Sequence, residues 1–157
     1  MESCRPAVAA DVGRIAELAR LSLEEQRGLK GGELWSTREA RAEPLEESFK
    51  ELLDRDDALV VVGAIDDAII GFGAVVIETL RTGDRLGVIT ELFVEAEARA
   101  VGVGESMMAA LIAFCDDADC VGIDAWALPG HRDTKNFFEA SGFSARGIVM
   151  HRRKAAD

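Results

Sequence analysis

The chain has 157 residues and a mass of 16.9 kDa, which suits one globular domain spanning residues 1–157 and leaves too little for two. Its formal net charge of −11 argues against a protein that mainly binds nucleic acid or an anionic membrane. The absence of tyrosine excludes any mechanism that needs a phenol.

Cysteine usage and the N-terminus bear on the compartment. Cys4, Cys115 and Cys120 are too few and too unevenly spaced for a disulfide scaffold, and they form no zinc motif. We therefore expect free thiols and no metal. The first residues lack a charged start followed by an apolar stretch, and no run approaches the roughly 20 apolar residues of a membrane span. These features predict a cytoplasmic protein.

Charge is unevenly distributed along the chain. Residues 131–157 carry a net charge of +3, which leaves −14 on the first 130 residues. A basic end on an acidic body favours a phosphorylated ligand or an acidic partner, and an ordinary solvated basic face explains it equally well.

The N-terminal third predicts one strand and two helices. Ser3–Pro6 is assigned to a short strand. Asp11 is the predicted N-cap of a helix, because apolar residues recur behind it at helical spacing, and this helix should end near Gly28. The following glycine-containing segment has no steady period. Pro44 then begins a second helix.

The centre of the chain is rich in strands. Ala58–Ile65, Ala68–Leu80 and Leu86–Val94 are apolar, β-branched runs joined by short polar turns. Tight turns between consecutive strands predict an antiparallel meander. Gly71 and Gly73 inside the second run predict a bulge or a close backbone approach.

The last third alternates between helix and strand. The pattern predicts a helix over Val103–Cys115, a strand over Cys120–Leu128, a helix over Thr134–Ser141 ending at Gly142, and a final strand over Phe143–His151. A helical crossover between strands makes them parallel. The fold class predicted is therefore α+β, with a mixed, mostly antiparallel central sheet flanked by helices.

A glycine pair marks the start of the helix that follows the meander. Gly102 and Gly104 stand where unpaired helix amides can bind an anion, with Arg99 beside them. Tight strand-to-helix packing explains the glycines equally well. The segment is not a P-loop, since no Lys-Ser/Thr follows, and Met107 breaks the dinucleotide-binding pattern.

Two segments resemble one enzyme family. Residues 99–104, Arg-Ala-Val-Gly-Val-Gly, resemble the R/Q-x-x-G-x-G/A acyl-CoA signature of the GNAT superfamily of N-acyltransferases. Phe137–Phe143 resembles that family's (L/F)-Y-E-x-x-G-F segment, and Leu92-Phe93-Val94 resembles its fourth strand. The order of elements agrees over nearly the whole chain. The resemblance implies a sheet that is splayed between its fourth and fifth strands.

The resemblance also implies a ligand and an activity. Acetyl-CoA would enter the splayed opening, and its acetyl group would pass directly to the amine of a small molecule or a protein. The backbone of the fourth strand would pair with the pantetheine arm, and the amides of Val101 to Gly104 would hold the pyrophosphate. Glu105 suits the helix dipole but would repel a phosphate. A homodimer is left open. The cofactor-binding residues implied are Leu92, Phe93, Val94, Arg99, Ala100, Val101, Gly102, Val103, Gly104 and Glu105.

Glu91 is the predicted general base. Strand alternation places it on the same face as Ile89 and Phe93, opposite Leu92 and Val94. A carboxylate on an apolar face is costly unless it has a partner, which indicates a site. The alternative is a structural carboxylate that is paired with a basic residue or exposed at the sheet edge.

His131 and Phe138 mark departures from the family pattern. The Tyr that the family uses as an acid falls at Phe138, which has no proton to give. The Asn commonly found seven residues earlier falls at His131, which could contact CoA or transfer protons as a second catalytic residue, or could be an exposed loop histidine. Trp35 would be either a wall of the acceptor pocket or loop packing.

Three functions therefore compete. The first is an acyl-CoA-dependent N-acetyltransferase. The second is a non-catalytic acyl-CoA-binding or regulatory module that keeps the fold without the acid. The third is a ligand-sensing domain that does not bind CoA.

Overall fold

Five strands form one mixed sheet in the computed structural model, which describes residues 1–99 and 102–156. Three antiparallel pairings are followed by one parallel pairing, between the fourth and fifth strands. The predicted fold class is confirmed. The strands lie side by side in chain order: β1 (Glu2–Pro6), β2 (Ala58–Ile65), β3 (Ala68–Thr79), β4 (Arg85–Val94) and β5 (Gly122–Ala125).

Helices cover both faces of the sheet. The described helices are α1 (Val12–Arg27), α2 (Gly32–Arg38), α3 (Leu45–Leu53), α4 (Val103–Asp117) and α5 (Arg132–Ala140), with short 3-10 turns at Ala9–Asp11 and Ala96–Ala98. Helices α1 and α3 pack on one face and α4 on the other. The sequence did not predict α2, because its seven residues are too few to show an apolar period.

Two hydrophobic clusters, one on each face, hold the layers together. Phe49 of α3 meets Phe72 of β3 edge-to-face at 5.7 Å on the α1/α3 face. On the α4 face, β3 comes close to the helix, because a Cβ at Gly73 would lie 3.1 Å from a methyl of Leu111. A Cβ at Gly71 would lie 2.8 Å from the carbonyl oxygen of Phe93. The predicted close backbone approach at the two glycines is therefore confirmed.

Asp11 does not cap α1 with its side chain. Its carboxylate accepts a hydrogen bond from the backbone amide of Val8 at 2.8 Å and two from Arg5 at 2.8 and 3.0 Å. The hydrogen bonds from Arg5 lower the pKa of Asp11, so the pair ties β1 to the start of α1. At the other end of the chain, Gly142 follows α5 with φ +93°, as the predicted C-terminal glycine requires.

The predicted last strand is wrong. Residues 143–156 form no strand, although Ile148, Val149 and their neighbours are typical strand residues. A strand exists only as part of a ladder, and no ladder joins these residues to β5, although Arg146 forms a salt bridge with Asp124 of that strand. Strand β5 is also shorter than predicted, with four residues in place of nine.

Candidate active site

The sheet opens between β4 and β5. Their ladder joins Leu86–Ile89 to Gly122–Ala125 and stops there, although β4 continues to Val94. The amide of Glu95 donates to the carbonyl of Ile70 across the β3 side at 2.8 Å. The backbone N–H and C=O groups of neighbouring residues in a strand point to opposite sides. Since those of Glu95 face β3, those of Val94 and Leu92 face the opening. This part of β4 can therefore accept an added strand.

One cavity of about 660 Å³ occupies this opening. It brings most of the predicted site residues together: Glu91, Leu92, Phe93, Val94, Arg99, Gly104, Glu105 and His131 all line it. Ala100 and Val101 lie outside the described residues, so the centre of the predicted pyrophosphate loop stays a prediction.

The backbone at the start of α4 has the geometry of an anion site, but an acidic side chain lies beside it. Gly102 is the N-cap with φ +85°, a conformation that favours glycine, and the next amides begin the helix. Val103 does not face the cavity, because its side chain is buried in the core against Gly63. A Cβ at Gly104 would lie 3.6 Å from the Phe137 ring. Backbone can therefore approach a ligand here, while the carboxylate of Glu105 lies close by.

Arg99 reaches back over β4. Its Nε donates to the carbonyl of Val94 at 2.8 Å, its Nη2 donates to Glu25 of α1 at 2.8 Å, and its guanidinium lies 5.5 Å from the centre of the Phe93 ring. The side chain thus lies at the open edge of β4, where it can meet an anionic ligand.

Glu91 is paired with Arg41, a residue that no motif in the sequence marks. Nε and Nη2 of Arg41 donate to the two carboxylate oxygens at 2.7 and 2.6 Å, and Thr90 donates its hydroxyl to the same carboxylate at 2.6 Å. Both charged side chains are about one-sixth exposed, at 17% and 18%. Arg41 also donates to Ser48 at 2.9 Å. A bidentate ion pair of this kind fixes the orientation of the carboxylate.

A β-bulge sets the direction of Glu91. Ala74 pairs with Glu91 whereas Val75 pairs with Ile89, so β4 carries one extra residue, Thr90, between them. The extra residue inverts the alternation. Glu91 therefore shares the α1/α3 face with Phe93, as predicted, but it does not share a face with Ile89, which packs on the α4 side. The predicted alternation is wrong at this point.

His131 lines the cavity at the start of α5. It is the N-cap residue of the helix, and the hydroxyl of Thr134 lies 3.0 Å from its ring nitrogens. Burial lowers the pKa of His131, and the neighbouring carboxylate of Glu25 offsets this only in part. The imidazole is therefore neutral near pH 7, which makes it an acceptor of protons rather than a donor.

A family sequence profile decides the identity. The profile of the acetyltransferase (GNAT) family matches residues 15–143. The chain belongs to the GNAT family of acetyltransferases. Among curated proteins, no sequence matches the chain.

Solved structures agree on the GNAT fold. An aminoglycoside acetyltransferase from an uncultured soil metagenomic sample superposes with a TM-score of 0.72 at 16% identity, covering 99% of this chain and 97% of its own. Glucosamine-6-phosphate N-acetyltransferase from Arabidopsis thaliana gives 0.69 at 22% identity, covering 98% of each. A putative acetyltransferase from Agrobacterium tumefaciens gives 0.73 at 16% identity, covering 97% and 99%. At identities this low the superpositions show a shared fold and do not identify the substrate.

Phe138, where the resemblance to the family places a tyrosine, lines the cavity. Phe138 is only 7% exposed, and its ring packs 5.3 Å from that of Phe143. It lines the same cavity as Glu91 and His131. The cavity wall at this position therefore presents a ring without a hydroxyl.

Both tryptophans of the chain line the cavity. Trp35 lies on α2. Trp126, which no sequence motif marks, follows directly after β5 and is 51% exposed. Acidic groups outnumber basic ones around them. The charged lining residues are Glu25, Glu39, Glu91, Glu105 and Asp133 against Arg41 and Arg99. The lining therefore suits an acceptor that carries positive charge.

Neither a metal cluster nor a membrane helix is found among the described residues. Across 1–99 and 102–156, no group of three or more His, Cys, Asp or Glu side chains is arranged to hold a metal ion. Over the same residues, no helix is both long enough and apolar enough to cross a membrane.

Proposed function

We propose that this GNAT protein transfers an acetyl group from acetyl-CoA to a primary amine by direct attack. One observation carries the proposal: the open edge of β4, the glycine start of α4 and the carboxylate of Glu91 meet in a single cavity. A thioester laid along β4 would have its carbonyl near Glu91 and its phosphates near α4.

The chain supplies a holding surface for acetyl-CoA. The peptide groups of Leu92 and Val94 pair with the pantetheine arm as with an added strand. Arg99 and the amides of Val101 to Gly104 would hold the pyrophosphate. Phe93 lies under Arg99, and Glu105, beside the phosphates, weakens their binding by charge repulsion. When bound, the coenzyme supplies an activated acyl group on a thiolate leaving group.

The proton steps fall to Glu91 and His131. The acceptor arrives as an ammonium ion, and one of its protons passes to Glu91, directly or through water, before the nitrogen can attack. The N–C bond forms as the C–S bond breaks, and the nitrogen loses its second proton to water. The thiolate that leaves takes a proton from water, since Phe138 has none. His131, which lines the same cavity, relays protons. Arg41 is a positioning residue, because it acts through Glu91.

A second function has an observation in its favour. Phe138 lacks the acid, and Glu91 is already bound to Arg41, which suits a module that binds acyl-CoA without turning it over. Thiol release from acetyl-CoA with a panel of small amines and lysine peptides separates the two. Release with any amine supports the enzyme; CoA binding by calorimetry without release supports the module, and no binding overturns both.

Domain and compartment are proposed from the same observations. We propose that residues 1–157 form one domain, because the two hydrophobic clusters lie on opposite faces of one sheet. The free cysteines support a cytoplasmic location, where thiols stay reduced. Burial raises the pKa of Cys115 to about 12, so this thiol is an inert core residue.

A further inference from the structure

Helix α2 and the residue that ends it place an aromatic ring and a carboxylate side by side in the cavity. Trp35 and Glu39 both line it. They stand four residues apart, and the amide of Glu39 donates to the carbonyl of Trp35 at 3.0 Å, so the helical turn brings the two side chains to the same face. An indole beside a carboxylate suits an alkylammonium group, because the ring covers the alkyl chain and the carboxylate pairs with the charge.

The other four carboxylates that line the cavity have their charge compensated by their surroundings. Two of them are paired with arginines of the same cavity: Glu91 with Arg41 at 2.6 Å and Glu25 with Arg99 at 2.8 Å. The remaining two, Glu105 and Asp133, lie in the first turns of α4 and α5, where the helix dipole stabilises a negative charge. These four carboxylates therefore have little need of a cationic ligand.

Glu39 differs from them. Among the described residues, its partner in an ion pair is Arg38, whose guanidinium lies 3.5 Å away. The side chain of Arg38 is 73% exposed, whereas that of Glu39 is only 23% exposed. An ion pair with so exposed a partner contributes little, and Arg38 does not line the cavity. The charge of Glu39 can therefore bind a cation that enters the cavity.

Contact between two loops beside α2 bears on the size of the acceptor. The loop that leads into α2 touches the loop after β5. A Cβ at Gly31 would lie 3.7 Å from Leu128, and a Cβ at Gly130 would lie 3.2 Å from the backbone nitrogen of Lys30. Leu128, like Trp35, lines the cavity, so the two loops join its walls at this end. An extended polypeptide needs an open groove, and the joined loops therefore favour a small molecule over a protein lysine.

Building on the proposed acetyl transfer, we propose that the acceptor is a small aliphatic diamine, with one ammonium group held by Glu39 against Trp35 while the other reacts beside Glu91. Both amines of such a molecule carry a proton near pH 7. The reacting nitrogen loses two protons as it gains the acetyl group, the CoA thiolate takes up one proton, and the other ammonium is unchanged. The product is a monoacetylated diamine and free CoA. Trp35 and Glu39 thus determine the specificity.

The first test compares two amines of equal chain length, 1,5-diaminopentane and pentylamine. At pH 7.5, kcat/KM for the diamine should exceed that for the monoamine by about tenfold, because only the diamine has a second charge for Glu39. The two equivalent amines of the diamine would by themselves give a ratio of about two by simple counting of reactive groups. A ratio no higher than this would overturn the proposal, as would a lysine peptide that reacts as efficiently as the diamine.

A pair of variants assigns the preference to one carboxylate. Glu39→Gln should reduce the ratio from about tenfold to about two, chiefly by raising KM for the diamine. Glu33→Gln is the matched control, since Glu33 lies on the same helix, is exposed and does not line the cavity. This control should keep the wild-type ratio. An undiminished ratio in Glu39→Gln would overturn the proposal.

Calorimetry on the unmodified chain separates this proposal from the proposed activity. With CoA present, 1,5-diaminopentane should bind about tenfold more tightly than pentylamine, and the difference should shrink as salt is added. This preference without thiol release from acetyl-CoA would support the diamine site while the proposed activity fails. Thiol release with equal affinity for the two amines would overturn the diamine site and leave the proposed activity intact.

Discussion

Arg41 and Glu91 form a closed fork between the loop before α3 and the bulge of β4. The guanidinium meets both carboxylate oxygens at 2.6 and 2.7 Å, and it lies 4.5 Å from the centre of the Phe49 ring. Phe49 belongs to the core on the α1/α3 face. The pair therefore connects the core to the cavity. Substitution of Arg41 should lower the stability of the fold, and substitution of Glu91 should lower the rate of acetyl transfer.

Arg41→Gln should destabilise the fold by about 2–4 kcal/mol, because a largely buried carboxylate would lose its partner. Chemical denaturation measures the change. The double variant Arg41→Gln/Glu91→Gln should be more stable than Arg41→Gln, because the unpaired charge is gone. Arg55→Gln is the control, since it removes an exposed pair with Asp57 and should cost less than about 1 kcal/mol. Equal losses in Arg41→Gln and in the double variant would contradict the pairing.

Glu91→Gln should reduce kcat by about 10²–10⁴-fold, because the amide cannot accept the ammonium proton. The loss should be greatest at low pH, where nearly all the acceptor is protonated. Acetyl-CoA affinity by calorimetry should not change, since the coenzyme is held by backbone and by Arg99. Glu78→Gln, at an exposed end of β3, is the matched control. A wild-type pH–rate profile in Glu91→Gln would remove this residue from the mechanism.

Local patterns predicted the strands of the meander and α4 well, because apolar periodicity within a segment fixes both their type and their extent. The direction of Glu91 could not be predicted this way. The bulge at Thr90 exists only in the pairing of β4 with β3, and neither strand shows it alone. A pattern that assumed unbroken alternation therefore placed Glu91 with Ile89.

Ion-pair partners that are distant in the chain likewise could not be predicted from the sequence. Arg41 stands fifty residues before Glu91, in a segment without periodicity, so no spacing rule connects them. The prediction of a strand over Phe143–His151 is wrong for the opposite reason. Its residues favour a strand, but a strand also needs a neighbour, and the segment pairs with no strand among the described residues. Gly104 and His131 do line the cavity, because their distance along the chain from the motif residues fixes their place in the fold.

Gly104→Trp should abolish acetyl-CoA binding. The Cβ position faces the Phe137 ring at 3.6 Å, and an indole added there would fill the anion site at the start of α4. Calorimetry should show at least a hundredfold weaker binding. Gly13→Trp is the control of equal size, because a Cβ on that residue of α1 would meet nothing within 4 Å. Unchanged affinity in Gly104→Trp would exclude this site for the pyrophosphate.

Phe138→Tyr should raise kcat roughly tenfold, because the new phenol can give the departing thiolate its proton. The ring already lines the cavity, so its hydroxyl can point into it. The gain should fall away above about pH 10, where the phenol ionises. The same substitution at Phe114, on α4, is the control and should leave kcat unchanged. A slower enzyme with reduced thermal stability would show that the hydroxyl is buried without a partner.

His131→Gln should reduce the loss of folding stability that occurs when the pH falls from 7.5 to 5. Burial lowers the pKa of His131 in the folded protein, whereas in the unfolded chain it returns to about 6.5. Between these two values the unfolded state binds more protons, so stability falls as the pH drops through 6.5 and levels off below the folded pKa. Denaturation midpoints measured from pH 7.5 to pH 5 should fall less in His131→Gln than in the wild type. His151→Gln, which removes the other histidine in the exposed C-terminal segment, should follow the wild-type curve. A fall in His131→Gln as steep as in the wild type would show that other groups cause the acid sensitivity, and that protonation of this imidazole does not oppose folding.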